Sequence, residues 1–159
     1  MYLWNVNALI EDLRNDAVSQ KAQFKYLFLT VLLWTVFSDT YWSQDMAYNK
    51  YDVIISFSSI VIIIIELLLF YRINTNGDNK DLIPRYICLS IPVGIRTLVF
   101  FIPLFIIGVI GESRLYYENF DDYLNAETYV TTPVLAALIT LFGIAFVVYL
   151  LKSLKKVAH

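Results

Sequence analysis

Residues 53–73 read VIISFSSIVIIIIELLLFYRI, and residues 86–111 read YICLSIPVGIRTLVFFIPLFIIGVIG. Each run is long enough to cross a bilayer, since about 20 residues at 1.5 Å rise traverse the hydrocarbon core. Each carries one charge in its apolar interior, Glu66 in the first and Arg96 in the second. A charge at bilayer depth costs about 3 kcal/mol or more, so it faces protein or water and finds a partner. The turn NTNGDNKDLIP, residues 74–84, makes the runs antiparallel, and depths can be compared from it. Glu66 lies six residues before Arg72, about 9 Å in, and Arg96 eleven after Arg85, about 16 Å in. A long basic side chain reaching back covers that offset. The sequence therefore predicts an intramembrane Glu66–Arg96 ion pair.

Composition agrees with a membrane protein. The 159 residues leave room for one domain, and 58% hydrophobic content with a mean hydropathy of +0.61 is too apolar for an ordinary soluble one. Cys88 is the sole cysteine and lies inside a span, where it reads as a small buried apolar residue. The first 25 residues lack the ordered regions of a cleavable signal peptide.

Two further runs complete the expected architecture. Residues 26–42, YLFLTVLLWTVFSDTYW, form a short span with Asp39 near its far end and Tyr41 and Trp42 as interface anchors. Residues 133–151 form the last span, on which Ala136, Thr140, Gly143 and Val147 make a small face suited to helix contact. Ser90 and Gly94 form a similar small pair in the third span, and Pro92 and Pro103 predict kinks there. Ahead of the spans, residues 1–25 predict an amphipathic helix: Val6, Leu9, Ile10, Leu13 and Ala17 recur at helical spacing, with Asn5 or Asn7 as cap. The fold class is thus an all-α membrane protein, with a cytoplasmic helix (1–25) and a four-helix transmembrane domain (26–159) whose spans are 26–42, 53–73, 86–111 and 133–151. Arg14, Lys21, Lys25, Arg72, Lys80, Arg85, Lys152, Lys155 and Lys156 would lie on one side, against Lys50 and Arg114 on the other. That bias places both termini in the cytoplasm, and the acidic, aromatic loop 112–132 outside.

The chemistry of catalysis is mostly missing. The single histidine, His159, cannot build a zinc site, and there is no phosphate loop or nucleophile elbow. No cofactor is expected, and the scattered lysines do not suit nucleic acid, although Lys152, Lys155 and Lys156 suit anionic lipid heads. What remains is polarity at membrane depth. Ser56, Ser59 and Glu66 share one face of the second span, and with Asp39 and Arg96 they are the candidate pore-lining residues. Four helices are too few to surround a wide pore, so a homo-oligomer is implied. Leu9 and Leu13 are the candidates for oligomerisation or for gating by a cytoplasmic partner. The outline of several spans, a charged helix and no enzyme motif is similar to small membrane-acting effectors of bacterial toxin and antiphage systems, a likeness of architecture. Heavy use of asparagine, isoleucine and lysine points to an AT-rich bacterial genome, and so to the inner membrane. The expected function is an oligomeric ion channel or pore; the alternative is a non-conducting accessory or scaffold subunit that docks onto a larger membrane partner.

Overall fold

A computed structural model describes residues 2–37, 46–47, 49–116 and 129–158. Among these residues the chain forms five helices: α1 (Val6–Arg14), α2 (Gln20–Phe37), α3 (Lys50–Asn76), α4 (Leu82–Tyr116) and α5 (Pro133–Ala158). Three of them, α3, α4 over Leu82–Gly111, and α5, are long and apolar enough to cross a membrane. The span expected at 26–42 falls on α2, whose first turns hold Gln20, Lys21, Gln23 and Lys25; Asp39, Tyr41 and Trp42 lie outside the described residues.

The N-terminal region divides in two. In α1, Asn5 caps the helix by accepting a hydrogen bond from the Ala8 amide at 3.2 Å, and Val6, Leu9, Ile10 and Leu13 form its buried face. The helix stops at Arg14, and Asp16 adopts a left-handed φ of 52° just beyond it. Ala17 is therefore off the stripe and exposed. Ser19 then starts α2 by accepting from the Ala22 amide at 3.3 Å.

α5 is the centre of the assembly. It packs along both α3 and α4, while α2 lies against α4 and α1 against α5 and α4. The small face read from the sequence meets α3: Ala136 and Val147 are buried, Thr140 Oγ1 lies 3.4 Å from Ser58 Oγ, and Gly143 faces Ile62. Toward α4, a Cβ added at Gly108 would stand 2.6 Å from Leu138 Cδ1, so the end of the leucine side chain packs into the space the glycine leaves. Phe101 and Phe142 stack edge to face there, with centroids 5.5 Å apart. Neither Pro92 nor Pro103 interrupts α4.

The two ends of the assembly are closed differently. At one end Asn49 and Asp52 form a capping box on α3, Thr131 Oγ1 donates to Asp52 at 2.6 Å, and Asn49 Nδ2 donates to the Thr131 carbonyl at 2.7 Å. A two-residue parallel backbone pairing of Met46–Ala47 with Tyr129–Val130 adds to that closure. At the other end the α3–α4 turn, α1 and the end of α5 converge. Here a Cβ on Gly77 would stand 2.6 Å from the Ala158 side chain, so α5 ends directly on the turn.

Candidate functional site

α3 presents one inward stripe, through Ser58, Ser59, Ile62, Glu66, Phe70 and Asn74, and lines its other faces with exposed isoleucine, leucine, valine and phenylalanine. That periodicity carries Glu66 to 3% exposure. Its carboxylate accepts a hydrogen bond from the Tyr86 hydroxyl at 2.8 Å, and the Tyr86 ring stands edge-on to Phe70, centroids 5.1 Å apart. On this stripe Ser59 is half-buried, whereas Ser56 is exposed on the outer face. The serine that faces a neighbouring helix is Ser58, which donates to the Ile55 carbonyl and meets Thr140.

Arg96 lies elsewhere. Its guanidinium donates to the Tyr149 hydroxyl of α5 at 2.8 Å and sits 5.4 Å from the centre of the Trp4 ring, within cation–π range. Its Nε is buried without a hydrogen-bond partner. The predicted Glu66–Arg96 pair does not form; among the described residues the ion pairs are Lys80–Asp16 and Arg85–Asp78. The reason is the position of α5, which contacts both α3 and α4 along their length and supplies a tyrosine where the carboxylate was expected. Tyr86 in turn reaches Glu66 from the base of α4, nearer the turn.

Leu9 and Leu13 are 0% and 6% exposed, enclosed with Cys88, Leu89, Leu150 and Leu154 in one apolar cluster. They are occupied inside a single chain. Asp39, the remaining candidate, and most of the acidic loop 112–132 fall outside the described residues.

The polar centre that sequence reading passed over is Arg85. Treated as one more basic residue flanking a span, it is the largest fully buried side chain among the described residues, at 1% exposure. Both of its terminal nitrogens donate to the Asp78 carboxylate, one of them at 2.6 Å, and Nη1 also donates to Asn74 Oδ1 at 3.1 Å. This fork fastens the end of α3 to the start of α4. The guanidinium holds the Asp78 carboxyl down at about 2, below the usual carboxylate range. The available signal was the pairing of a basic residue after the turn with Asn74 and Asp78 inside it.

Two cavities flank α5 on the side of Arg96. One, of about 310 Å³, is lined by Arg96, Thr97, Phe100, Phe101, Ala145 and Tyr149. The other, of about 490 Å³, is lined by Arg14, Tyr149, Lys152, Ser153, Lys155 and Lys156. Among the described residues no group of three or more histidine, cysteine or acidic side chains is gathered as metal ligands would be. Compared with known proteins, the chain matches no family model, no curated protein sequence and no solved structure.

Proposed function

We propose that the chain is a non-catalytic scaffold or accessory subunit whose spans dock onto apolar helices of a larger membrane partner. The observation that supports this reading is the direction of its polar groups. Glu66 points into the chain onto Tyr86, and Ser58 and Thr140 point at each other. Outward, α3 exposes Phe57, Ile60, Ile63, Ile64 and Leu68, and α4 exposes Phe100, Ile102, Ile106 and Ile107. Those faces suit lipid or another apolar helix, whereas a water-filled path is lined by carbonyls, charged rings or other polar groups.

In this reading α2 makes a fourth crossing. It starts near the N-terminus, where the Tyr26 hydroxyl donates to the Tyr2 carbonyl at 3.0 Å, and α3 sets out from the opposite end at its Asn49 cap. Four crossings put both termini on one side, and the basic-residue bias makes that side the cytoplasm of a bacterial inner membrane.

A gated homo-oligomeric pore, of the kind used by toxin or antiphage effectors, is the second reading, and one contact favours it. Trp4 on Arg96 ties the segment ahead of α1 to a half-exposed cation within the apolar run of α4, so a partner pulling on α1 would move that charge. Purification in mild detergent followed by planar-bilayer recording separates the two. The scaffold is expected to be a monomer that gains mass only with a co-purified partner and is electrically silent at both polarities. A defined homo-oligomer that conducts would overturn it.

A further inference from the structure

The two cavities beside α5 share one wall. Tyr149 lines both, so the two cavities adjoin at its ring, with Phe100, Phe101 and Ala145 on one side and Arg14, Lys152, Lys155 and Lys156 on the other. The sequence of α5 sets these linings in line. Residues 145, 149, 152 and 156 follow one another at three- and four-residue steps, which put them on one face of a helix. That face runs from alanine through tyrosine to lysines. An apolar trough ending in a cluster of cations matches an amphipathic anion with a hydrocarbon tail.

We infer that this groove is a binding site for one anionic phospholipid, its phosphate among Lys152, Lys155, Lys156 and Arg14 and an acyl chain along Phe100, Phe101 and Ala145. Depth supports the assignment. α4 has 35 residues, so it is roughly 52 Å long against a hydrocarbon core of about 30 Å. A good part of the assembly therefore stands outside the core, and the turn end, closed by buried Arg85 and covered by α1, is the part built for it. Trp4 and Tyr149, aromatic residues of the type that mark headgroup level, flank Arg96, and Lys152 follows Tyr149 by one helical turn. The lysines then sit at phosphate height, and basic pockets between helices at that height recognise anionic headgroups. Arg96, with an unpartnered Nε at the junction, adds a fifth cation beside the groove. The site does not depend on whether the chain conducts.

The test uses the full chain, delipidated in neutral maltoside detergent and titrated with phosphatidylglycerol, phosphatidylcholine or inorganic phosphate. Lipid adducts are read by native mass spectrometry and the melting temperature is followed in parallel. Phosphatidylglycerol is expected to give a persistent one-lipid adduct and a raised melting temperature, with phosphatidylcholine and inorganic phosphate giving neither. Each basic residue near an anionic lipid contributes roughly fivefold in affinity. The K152Q/K155Q/K156Q variant, altered at three exposed positions, is expected to hold phosphatidylglycerol on the order of 100-fold more weakly, with its unliganded melting temperature unchanged. A145W fills the trough and is expected to lose the adduct while keeping all the lysines. Equal adducts with both lipids, or an adduct that survives the lysine variant, would overturn the proposal. Stabilisation by inorganic phosphate to the same extent would make this a free-anion site and overturn the lipid assignment. A lipid-independent dimer lost in the lysine variant would give the groove to a second copy, with the same consequence. Should A145W not fold, the lysine variant and the phosphate titration decide.

Discussion

Arg85 and Arg96 lie eleven residues apart on α4, and they meet opposite fates. Arg85 stands at the helix start, where solvent or headgroups would be its ordinary surroundings, yet it is 1% exposed and both of its terminal nitrogens are bonded. Arg96 stands where a cation should need enclosure, yet it is half-exposed, with one hydrogen bond, one aromatic contact and an unpartnered Nε. Burial of an arginine follows the partners within reach rather than distance along a span. Asn74 and Asp78 are brought to Arg85 by the turn itself, so little chain entropy is needed to assemble that site. Arg96 has to find its partner on another helix, and finds a neutral one.

The largest break in this comparison is Arg85→Ala. It leaves the Asp78 carboxylate without its forked donor and Asn74, 3% exposed, without the one shown here. Removing one member of a fully buried pair costs about 3–5 kcal/mol; with 30% of the Asp78 side chain exposed, the expected loss is about 2–3 kcal/mol. The loss is measured by unfolding in mixed micelles of sodium dodecyl sulfate; a loss under about 1 kcal/mol would show that the turn does not depend on this fork. Asp78 gives the same interaction a pH signature. Its carboxyl is held at about 2, below its unfolded range near ~4, so the contribution is complete above ~4 and fades as pH falls toward 2. Asp78→Asn is expected to flatten that acid limb, and an unaltered limb would assign it to other carboxylates.

A smaller effect separates the two tyrosine-held charges. Tyr86→Phe leaves buried Glu66 without the donor seen here and is expected to cost about 1–3 kcal/mol, the range for a stranded polar group. Glu66→Gln costs less, because an amide oxygen still accepts from Tyr86. Tyr149→Phe is expected to cost under about 1 kcal/mol, since half-exposed Arg96 keeps Trp4 and reaches water or headgroups. The same micelle unfolding ranks the three. A Tyr149→Phe loss equal to that of Tyr86→Phe would mean that Arg96 is enclosed, and the contrast between the two sites would fail.

The apolar helices were legible because length and apolarity suffice to specify a crossing. The contact face of α5 was legible too, since small residues at Ala136 and Gly143 permit close approach whatever the partner. Helix order was not. In lipid, outward and inward faces are equally apolar, so hydropathy does not tell that α5 runs between α3 and α4. That is why Glu66 and Arg96, matched by charge and depth, looked like partners, and why Ser59 was favoured over Ser58. The tyrosines that replaced the expected ion pair were visible only as aromatics, and a phenol announces no partner in sequence. The Arg85 fork was hidden by a different habit: Asn74 and Asp78 read as turn formers, a role compatible with accepting a buried guanidinium.

The smallest expected effect sharpens the comparison at the same turn. Lys80 Nζ lies 3.1 Å from Asp16 Oδ2, only a few residues from the Arg85 fork, and both side chains are about half exposed, at 55% and 53%. The charges are alike and the distance is good; what differs is water. An exposed pair of long side chains gains little Coulomb energy, loses rotamer freedom and is screened by salt, so such pairs contribute about 0–1 kcal/mol. Lys80→Ala is the cleaner probe, because Asp16 also holds a left-handed φ of 52° whose strain a substitution there would alter. The variant is expected to lose under about 0.5 kcal/mol at low ionic strength in the same unfolding measurement, and nothing resolvable in high salt. The pair does join the segment after α1 to the α3–α4 turn. If Lys80→Ala cost as much as Arg85→Ala, attachment of α1 to the turn would have to be what stabilises this end, and the buried fork would lose its separate standing.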